Sequence, residues 1–264
     1  MSEEYDFEEL EMWGLSADKR NSMAFWWPKI KDLDIPQPKT VMVEVDPKIY
    51  FKIMCDENTI PDTDFIKFEE AIQSLGGYPI FCRGSQMSGK HHWKEACYIE
   101  SKMQLHHNIF QILEAHFLTD KIPDAMFFRQ YIPMESYFTA WWGELPVNKE
   151  VRCFIKDGVL ACQHPYWPIS ALEQIEKHFI KDKDWRQKYQ KLLDITKTDR
   201  QIIASHLIKL ISVFGNEWWS CDFSKGFDGT WYLIDMAIGS ASYHWPGCPN
   251  KPRVKMKDGT IRCD

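Results

Sequence analysis

The chain has 264 residues and is 44% hydrophobic, enough to bury a core in one large domain or in two lobes. Its net charge of -6 and pI near 5.9 exclude the overall basic field of a general nucleic-acid or anionic-membrane binder. No run reaches the roughly 18 apolar residues of a membrane span, and the eight cysteines show neither a C-x-x-C pair nor a matching His ladder, which argues against a zinc site or a disulfide scaffold and for a reduced, cytoplasmic protein.

In chain order, residues 1 to about 40 turn from acidic to basic, carry Pro28, Pro36 and Pro38, and read as an irregular N-terminal arm. Alternation from Val41 to Met54 predicts one or two strands, and Phe65, Phe68, Ala71, Ile72 and Leu75 predict a helix from Asp62 that stops at Gly76-Gly77. A strand from Tyr78 to Arg83, a polar segment from Gly84 to Trp93, a helix from Glu100 to His116 and a strand from Ala125 to Ile132 follow. Beyond these, strands from Glu150 to Ile155 and Val159 to His164 flank an Asp157-Gly158 hairpin turn. A charged helix from Ile169 to Leu193 precedes one starting at Thr198, with Gln201 completing a capping box and Ile202, Ile203, Leu207, Leu210, Ile211 and Phe214 on one face before Gly215. The chain is therefore expected to be mixed α+β with antiparallel hairpins, its twelve tryptophans mostly in the core.

Three segments carry chemistry. Two apolar runs, Trp219 to Phe223 and Trp231 to Asp235, each deliver one carboxylate, Asp222 and Asp235, the oxygen donors that a divalent cation such as magnesium takes. Parity puts both acids on one face, but a symmetric hairpin closed by Ser224 to Gly229 leaves them several residues apart, so a twist, a bulge or another pairing must bring them together. Arg83, Gly84, Ser85, Ser88, Gly89 and Lys90 combine small residues with two cations, suited to phosphate oxygens. His91 stands where a Walker loop has Ser or Thr, so that motif fails. Glu150 and Arg152 alternate onto one side of a strand, a pattern that alone commonly means a structural ion pair.

Together, Arg83 with Ser88-Gly89-Lys90, the Phe127-Phe128-Arg129-Gln130-Tyr131-Ile132 strand, Glu150-x-Arg152, Asp222 and Leu233-Ile234-Asp235 resemble the ATP-grasp fold over roughly residues 78 to 245. The chain is similar to phage and bacterial ATP-grasp proteins in which arginines replace some nucleotide-binding lysines, and to eukaryotic ATP-grasp proteins that assist assembly of a translation initiation factor. The resemblance implies an arm at 1-40, a small lobe at 41-132 and a large lobe at 133-264, two α+β lobes with mostly antiparallel sheets clasping ATP. In it, Arg83 and Lys90 hold the α- and β-phosphates under a lid that contains Ser88 and Gly89. Gln130, Tyr131 and Ile132 read the adenine edge, with Arg129 and Glu135 as weaker candidates there. Arg152, beside Glu150, contacts the γ-phosphate or an acyl phosphate, and Asp222 and Asp235 bind magnesium. Many ATP-grasp ligases place an Asn two residues after the second carboxylate; Ala237 stands there, and Ser240, Ser242 or water is expected to substitute.

On the acceptor side, His244 in the Ser242 to Pro249 loop is a candidate base or substrate contact, and Trp142 in Trp141-Trp142-Gly143-Glu144 a candidate clamp for a peptide or base; both are also common as packing residues. The expected activity is an ATP- and magnesium-dependent ligase, with Arg152 and Lys90 as catalytic cations, that joins an unknown carboxylate to an amine or other nucleophile on a peptide or protein. The alternative is a nucleotide-binding assembly chaperone that clamps a partner protein without ligase turnover; neither membrane nor nucleic acid is an expected partner.

Overall fold

The structure is a computed structural model and describes residues 19–57, 60–119, 121–251, 254–255 and 261–262; the first 18 residues of the expected arm and Cys263 lie outside them. The chain divides into two compact units, residues 1–28 with 38–132 and residues 29–37 with 133–264.

Residues expected to form an irregular arm instead hold a short 3-10 turn, Lys19–Asn21, and helix α1, Met23–Ile30. Met23, Trp26 and Ile30 fall at helical spacing and are buried, so apolar periodicity prevails over the local prolines. Strand β1 is Thr40–Glu44. The expected continuation of strand to Met54 is replaced by helix α2, Pro47–Lys52, because Asp46 accepts the Lys48 N–H (2.8 Å) and Pro47 occupies the first turn, a strong helix start. Helix α3, Asp62–Ser74, buries Phe68, Ala71 and Ile72 and places Asp62 and Asp64 at its positive end. Strand β2 is Ile80–Gly84, β3 is Tyr98–Ile99, helix α4 is Lys102–Phe117 and strand β4 is Ala125–Gln130.

The sheet of the first unit runs β1-β4-β2-β3, all antiparallel, and the β1–β4 and β2–β4 registers are unbroken. Alternation sends Ile80, Cys82, Met126 and Phe128 to one face, where Phe128 meets Phe68 of α3 with ring centroids 5.3 Å apart. The other face takes Phe81, Arg83, Phe127 and Arg129. Gly84 ends β2 because only glycine fits: a Cβ there would lie 2.1 Å from the buried His116 ring of α4.

In the second unit, β5, Ser136–Ala140, and β6, Leu145–Asn148, form a hairpin. A four-stranded antiparallel sheet comprises β7, Glu150–Lys156; β8, Val159–Pro165; β9, Trp219–Lys225; and β10, Trp231–Ile238, in the order β10-β9-β7-β8. The expected turn joins β7 to β8, with Asp157 at φ 51° and Gly158 at φ 76°. The single helix expected from Ile169 to Leu193 is two, α5, Ile169–Phe179, and α6, Trp185–Leu193. Asp182 closes a turn on the Asp184 N–H (3.0 Å), and Trp185 Nε1 donates to Glu176 (2.8 Å), folding α6 back on α5. Helix α7, Lys197–Phe214, begins two residues before expectation: the capping box is Thr196 with Asp199, each side chain bonding the other's backbone N–H (3.1 and 3.0 Å). Ile203, Leu207, Leu210 and Phe214 of α7 are buried, and Phe214 packs on Trp219 at 4.7 Å. That sheet face carries Val151, Cys153, Ile155, Trp219, Cys221, Phe223, Leu233 and Met236, all buried. The polar row lies on the opposite face.

Candidate functional site

Each unit carries its own set of candidate residues. In the first, Arg83 pairs in register with Phe127 and Arg129 with Phe81, which puts the two arginines diagonally on one face of the ladder. Both are buried; Arg83 Nε donates to the Gly84 carbonyl (3.1 Å) and Arg129 Nε to Thr40 Oγ1 (3.4 Å). The segment after β2 turns at Gly89 (φ 62°) and is anchored by Cys97, whose thiol donates to the Ser88 carbonyl (2.7 Å). Burial pushes the Cys97 thiol up to about 12, while Arg83 and Lys90 both oppose the rise, so the fields of these two cations converge beside Ser88. Burial, then Lys90 and His92, hold His91 down to about 4, which keeps it neutral at pH 7. Asn108 of α4 braces the segment by donating to the Lys94, Ala96 and Tyr98 carbonyls (2.8, 3.1 and 3.3 Å). Gln130 is exposed at the end of β4, and the Tyr131 ring packs on Tyr98 (4.7 Å) and Trp93 (6.3 Å) before Ile132 closes the unit.

In the second unit, the register of three strand pairs puts His164, Arg152, Asp222 and Asp235 in one row across β8, β7, β9 and β10. Residues directly opposite in antiparallel strands share a face, so all four project together. Asp222 and Asp235 are opposed because β10 carries an extra residue, Ile234, between its Leu233–Phe223 and Asp235–Asp222 pairs. Arg152 grips Asp222 bidentately, Nε to Oδ1 and Nη2 to Oδ2 both at 2.8 Å, and its guanidinium lies 4.6 Å from the Tyr166 ring centroid. Burial disfavours the Arg152 charge, but Asp222 outweighs it and the guanidinium is held above its ordinary pKa. Asp235 Oδ1 accepts the Met236 N–H at 3.0 Å. Glu150 is buried opposite Ser224, one step along the same face.

The remaining candidates are spread more widely. Glu135 is ion-paired to Lys149 (2.9 Å). In the β5–β6 hairpin loop, Trp141, Trp142 and Gly143 all take positive φ (46°, 64° and 80°), a conformation that costs a bulky residue about 1–3 kcal/mol. Trp142 there is 45% exposed and meets Phe179 edge-on. His244 is buried and stacked on Phe154, with ring centroids 3.6 Å apart. Ala237 lies one row from Asp235, opposite Ser220, whose hydroxyl is 2.6 Å from that of Ser242; Ser242 also donates to the Ile238 carbonyl (3.0 Å), and Ser240 is exposed. Sequence reasoning overlooked His164 and Tyr166. Continuing the β7–β8 pairing outward from the Asp157-Gly158 turn leads to this neighbourhood, but a second bulge decides that His164 rather than Gln163 faces Arg152.

No described helix is long and apolar enough to cross a membrane. The family model for the ATP-grasp domain, R-to-K clade, family 3, matches residues 74–256. Among curated proteins none matches in sequence. Among solved structures the chain is similar to C-terminally truncated Cdc123 from Schizosaccharomyces pombe, at 16% identity and a TM-score of 0.52, over 84% of this chain and 86% of that one. It is also similar to D-alanyl-alanine synthetase A from Vibrio cholerae O1 biovar eltor (12% identity, TM-score 0.46) and to VanG D-Ala:D-Ser ligase from Enterococcus faecalis (11%, 0.47). It aligns over 88% and 84% of its own length with these two and spans 58% and 54% of theirs. With the family match extending over more than half of its length, the chain belongs to the ATP-grasp domain family of the R-to-K clade, family 3.

Proposed function

We propose that this protein is an ATP- and magnesium-dependent ligase that activates a carboxylate as an acyl phosphate and passes it to an amine or another nucleophile on a peptide or protein. The observation that carries the reading is the Arg152–Asp222–Asp235 row, in which one buried cation and two carboxylates are held on one face by strand register. Two hard oxygen donors side by side suit magnesium, and the bidentate arginine uses only part of the lone-pair capacity of Asp222. Asp222 and Asp235 would hold the ion, which when bound neutralises phosphate charge. Arg83, Arg129 and Lys90, with the Ser88-Gly89 segment, supply cations and backbone donors for phosphate oxygens, and the Gln130 to Ile132 stretch the adenine contacts.

In the reaction, a carboxylate oxygen of the donor forms a bond to the γ-phosphorus and ADP leaves. The acceptor amine then attacks the acyl carbon, inorganic phosphate departs, and the amine proton goes to solvent. Arg152 is placed to stabilise the charge that develops on the transferred phosphoryl group, the main work a protein does in such a step. Trapping with hydroxylamine tests the reading: with ATP, magnesium and a panel of carboxylates, a hydroxamate should form together with ADP. No hydroxamate and no donor-stimulated ADP release from a nucleotide-binding protein would refute ligase chemistry.

A second reading, an assembly chaperone that binds nucleotide to clamp a partner protein, is favoured by two observations. Ala237 offers no oxygen ligand, and Arg152 already engages both oxygens of Asp222. Nucleotide-dependent capture of one stoichiometric partner, lost in Asp235→Ala and without turnover, would select it.

A further inference from the structure

Four side chains of metal-ligating chemistry meet in the second unit. Cys162 and His164 come from β8, and His244 and Cys248 from the segment that follows β10; one ligand atom of each lies within 4.8 Å of all the others. Cys162 and His164 are two residues apart on an edge strand, so both project from the face that carries Arg152 and Asp222.

The segment after β10 reaches them by crossing that face in the order of the strands. Ser242 meets Ser220 of β9 through their hydroxyls (2.6 Å), and His244 stacks on Phe154 of β7 (3.6 Å). Asn250 Nδ2 then donates to the Ala161 carbonyl of β8 (2.8 Å). Ala161 is the extra residue of the β7–β8 bulge, so the strap ends on the group that the ladder leaves over.

The cluster lacks the partners that a purely structural polar group would have. The Nε2 atoms of His164 and of His244 are both buried without a hydrogen-bond partner, and His244 Nδ1 faces the Cys162 sulfur at 3.8 Å. In a zinc tetrahedron with bonds of about 2.0–2.3 Å, neighbouring ligand atoms are about 3.3–3.8 Å apart. The widest pair here needs to close by about 1 Å to reach that geometry. Thiolate sulfur with imidazole nitrogen selects zinc over the magnesium that bare carboxylates prefer.

We propose that Cys162, His164, His244 and Cys248 form a structural zinc site that pins the strap across the sheet beside the Arg152–Asp222 row. Binding zinc(II) releases the two thiol protons to solvent, with no change of oxidation state. The resulting complex of one zinc, two thiolates and two neutral imidazoles carries no net charge, which suits a site stacked against Phe154. Four protein ligands leave no position open for substrate, so the ion holds structure and does not catalyse. The sequence signature is Cys-x-His followed at long range by His-x-x-x-Cys, which a search for C-x-x-C passes over.

The full chain, expressed with added zinc and desalted, should carry one zinc per molecule by elemental mass spectrometry. Cobalt in its place should give the intense visible bands and thiolate charge-transfer absorption of a tetrahedral site. Cys162→Ser/Cys248→Ser should lose both signals and Asp235→Ala should keep them. If the double variant fails to fold, the metal content and cobalt spectrum of the wild type still decide. Folded wild type without stoichiometric zinc, zinc retained by a folded double variant, or a peptide map linking Cys162 to Cys248 by a disulfide would each overturn the proposal.

Discussion

The two sheets place their charged residues by different means. In the first unit the β2–β4 ladder runs without a break, so Arg83 and Arg129 reach one face by alternation alone. In the second, the row exists because two strands each carry one residue too many, Ala161 in β8 and Ile234 in β10. Extending the pairing from each turn without a bulge would set Arg152 opposite Gln163 and Asp222 opposite Ile234. Asp235 would then oppose Cys221 on the buried α7 face, and a carboxylate there without a partner costs several kcal/mol, far more than a bulge. Charge burial therefore selects the irregularity, and the irregularity builds the site.

The comparison is broken most sharply at Arg152. Arg152→Ala leaves Asp222 buried beside a missing cation and should cost about 3–5 kcal/mol, read from urea unfolding. Arg152→Met with Asp222→Leu should recover most of that loss, because an apolar pair leaves no orphan charge.

In the regular sheet the tightest point is the pair of Gly84 and His116. Burial holds the His116 imidazole down to about 4 in the folded state, against an ordinary value near 6.5. The unfolded chain therefore binds a proton that the folded chain excludes. This stability is present above about pH 6.5 and drains away as the pH falls towards 4, by on the order of 3 kcal/mol for this group. His116→Gln should flatten the decline between those values in unfolding midpoints taken across pH. Next in size, Gly84→Ala drives a methyl group into that ring and should cost about 1–3 kcal/mol by thermal melting, most of it relieved by adding His116→Ala.

The smallest expected effect bears on the bulge itself. Deleting Ile234 leaves Leu233–Phe223 and Asp235–Asp222 as successive regular pairs, so the row should survive and nucleotide affinity change by only about threefold, within the roughly 0.7 kcal/mol that such a factor represents. Loss of binding by a folded deletion variant would show that the bulge supplies more than register.

Much of the fold is legible in the sequence where pattern and punctuation agree. The helix from Asp62 ends before Gly76-Gly77 as expected, and the hairpin turns at Asp157-Gly158. The ATP-grasp resemblance is upheld by the family match. Misreadings arise where a local cap competes with periodicity: Asp46-Pro47 starts a helix inside an alternating run, and Thr196 captures Asp199 two residues ahead of the Thr198–Gln201 pattern. The need for a bulge between Asp222 and Asp235 can be read from parity, since the two acids can be counted along the hairpin. Its position cannot, because the packing of Leu233 and Met236 against α7 chooses it. The Cys162, His164, His244 and Cys248 cluster is illegible for the same reason, since it depends on a bulge and on a strap that crosses three strands.

The central claim is that the Arg152–Asp222–Asp235 row completes a nucleotide and magnesium site. Calorimetric titration of ATP with and without magnesium, into wild type and into folded Asp235→Ala and Arg152→Ala variants, tests it directly. The account predicts magnesium-dependent ATP binding in the wild type that falls at least tenfold, about 1.4 kcal/mol, in each variant. Equal affinity in all three proteins, or no binding by the folded wild type, would contradict it.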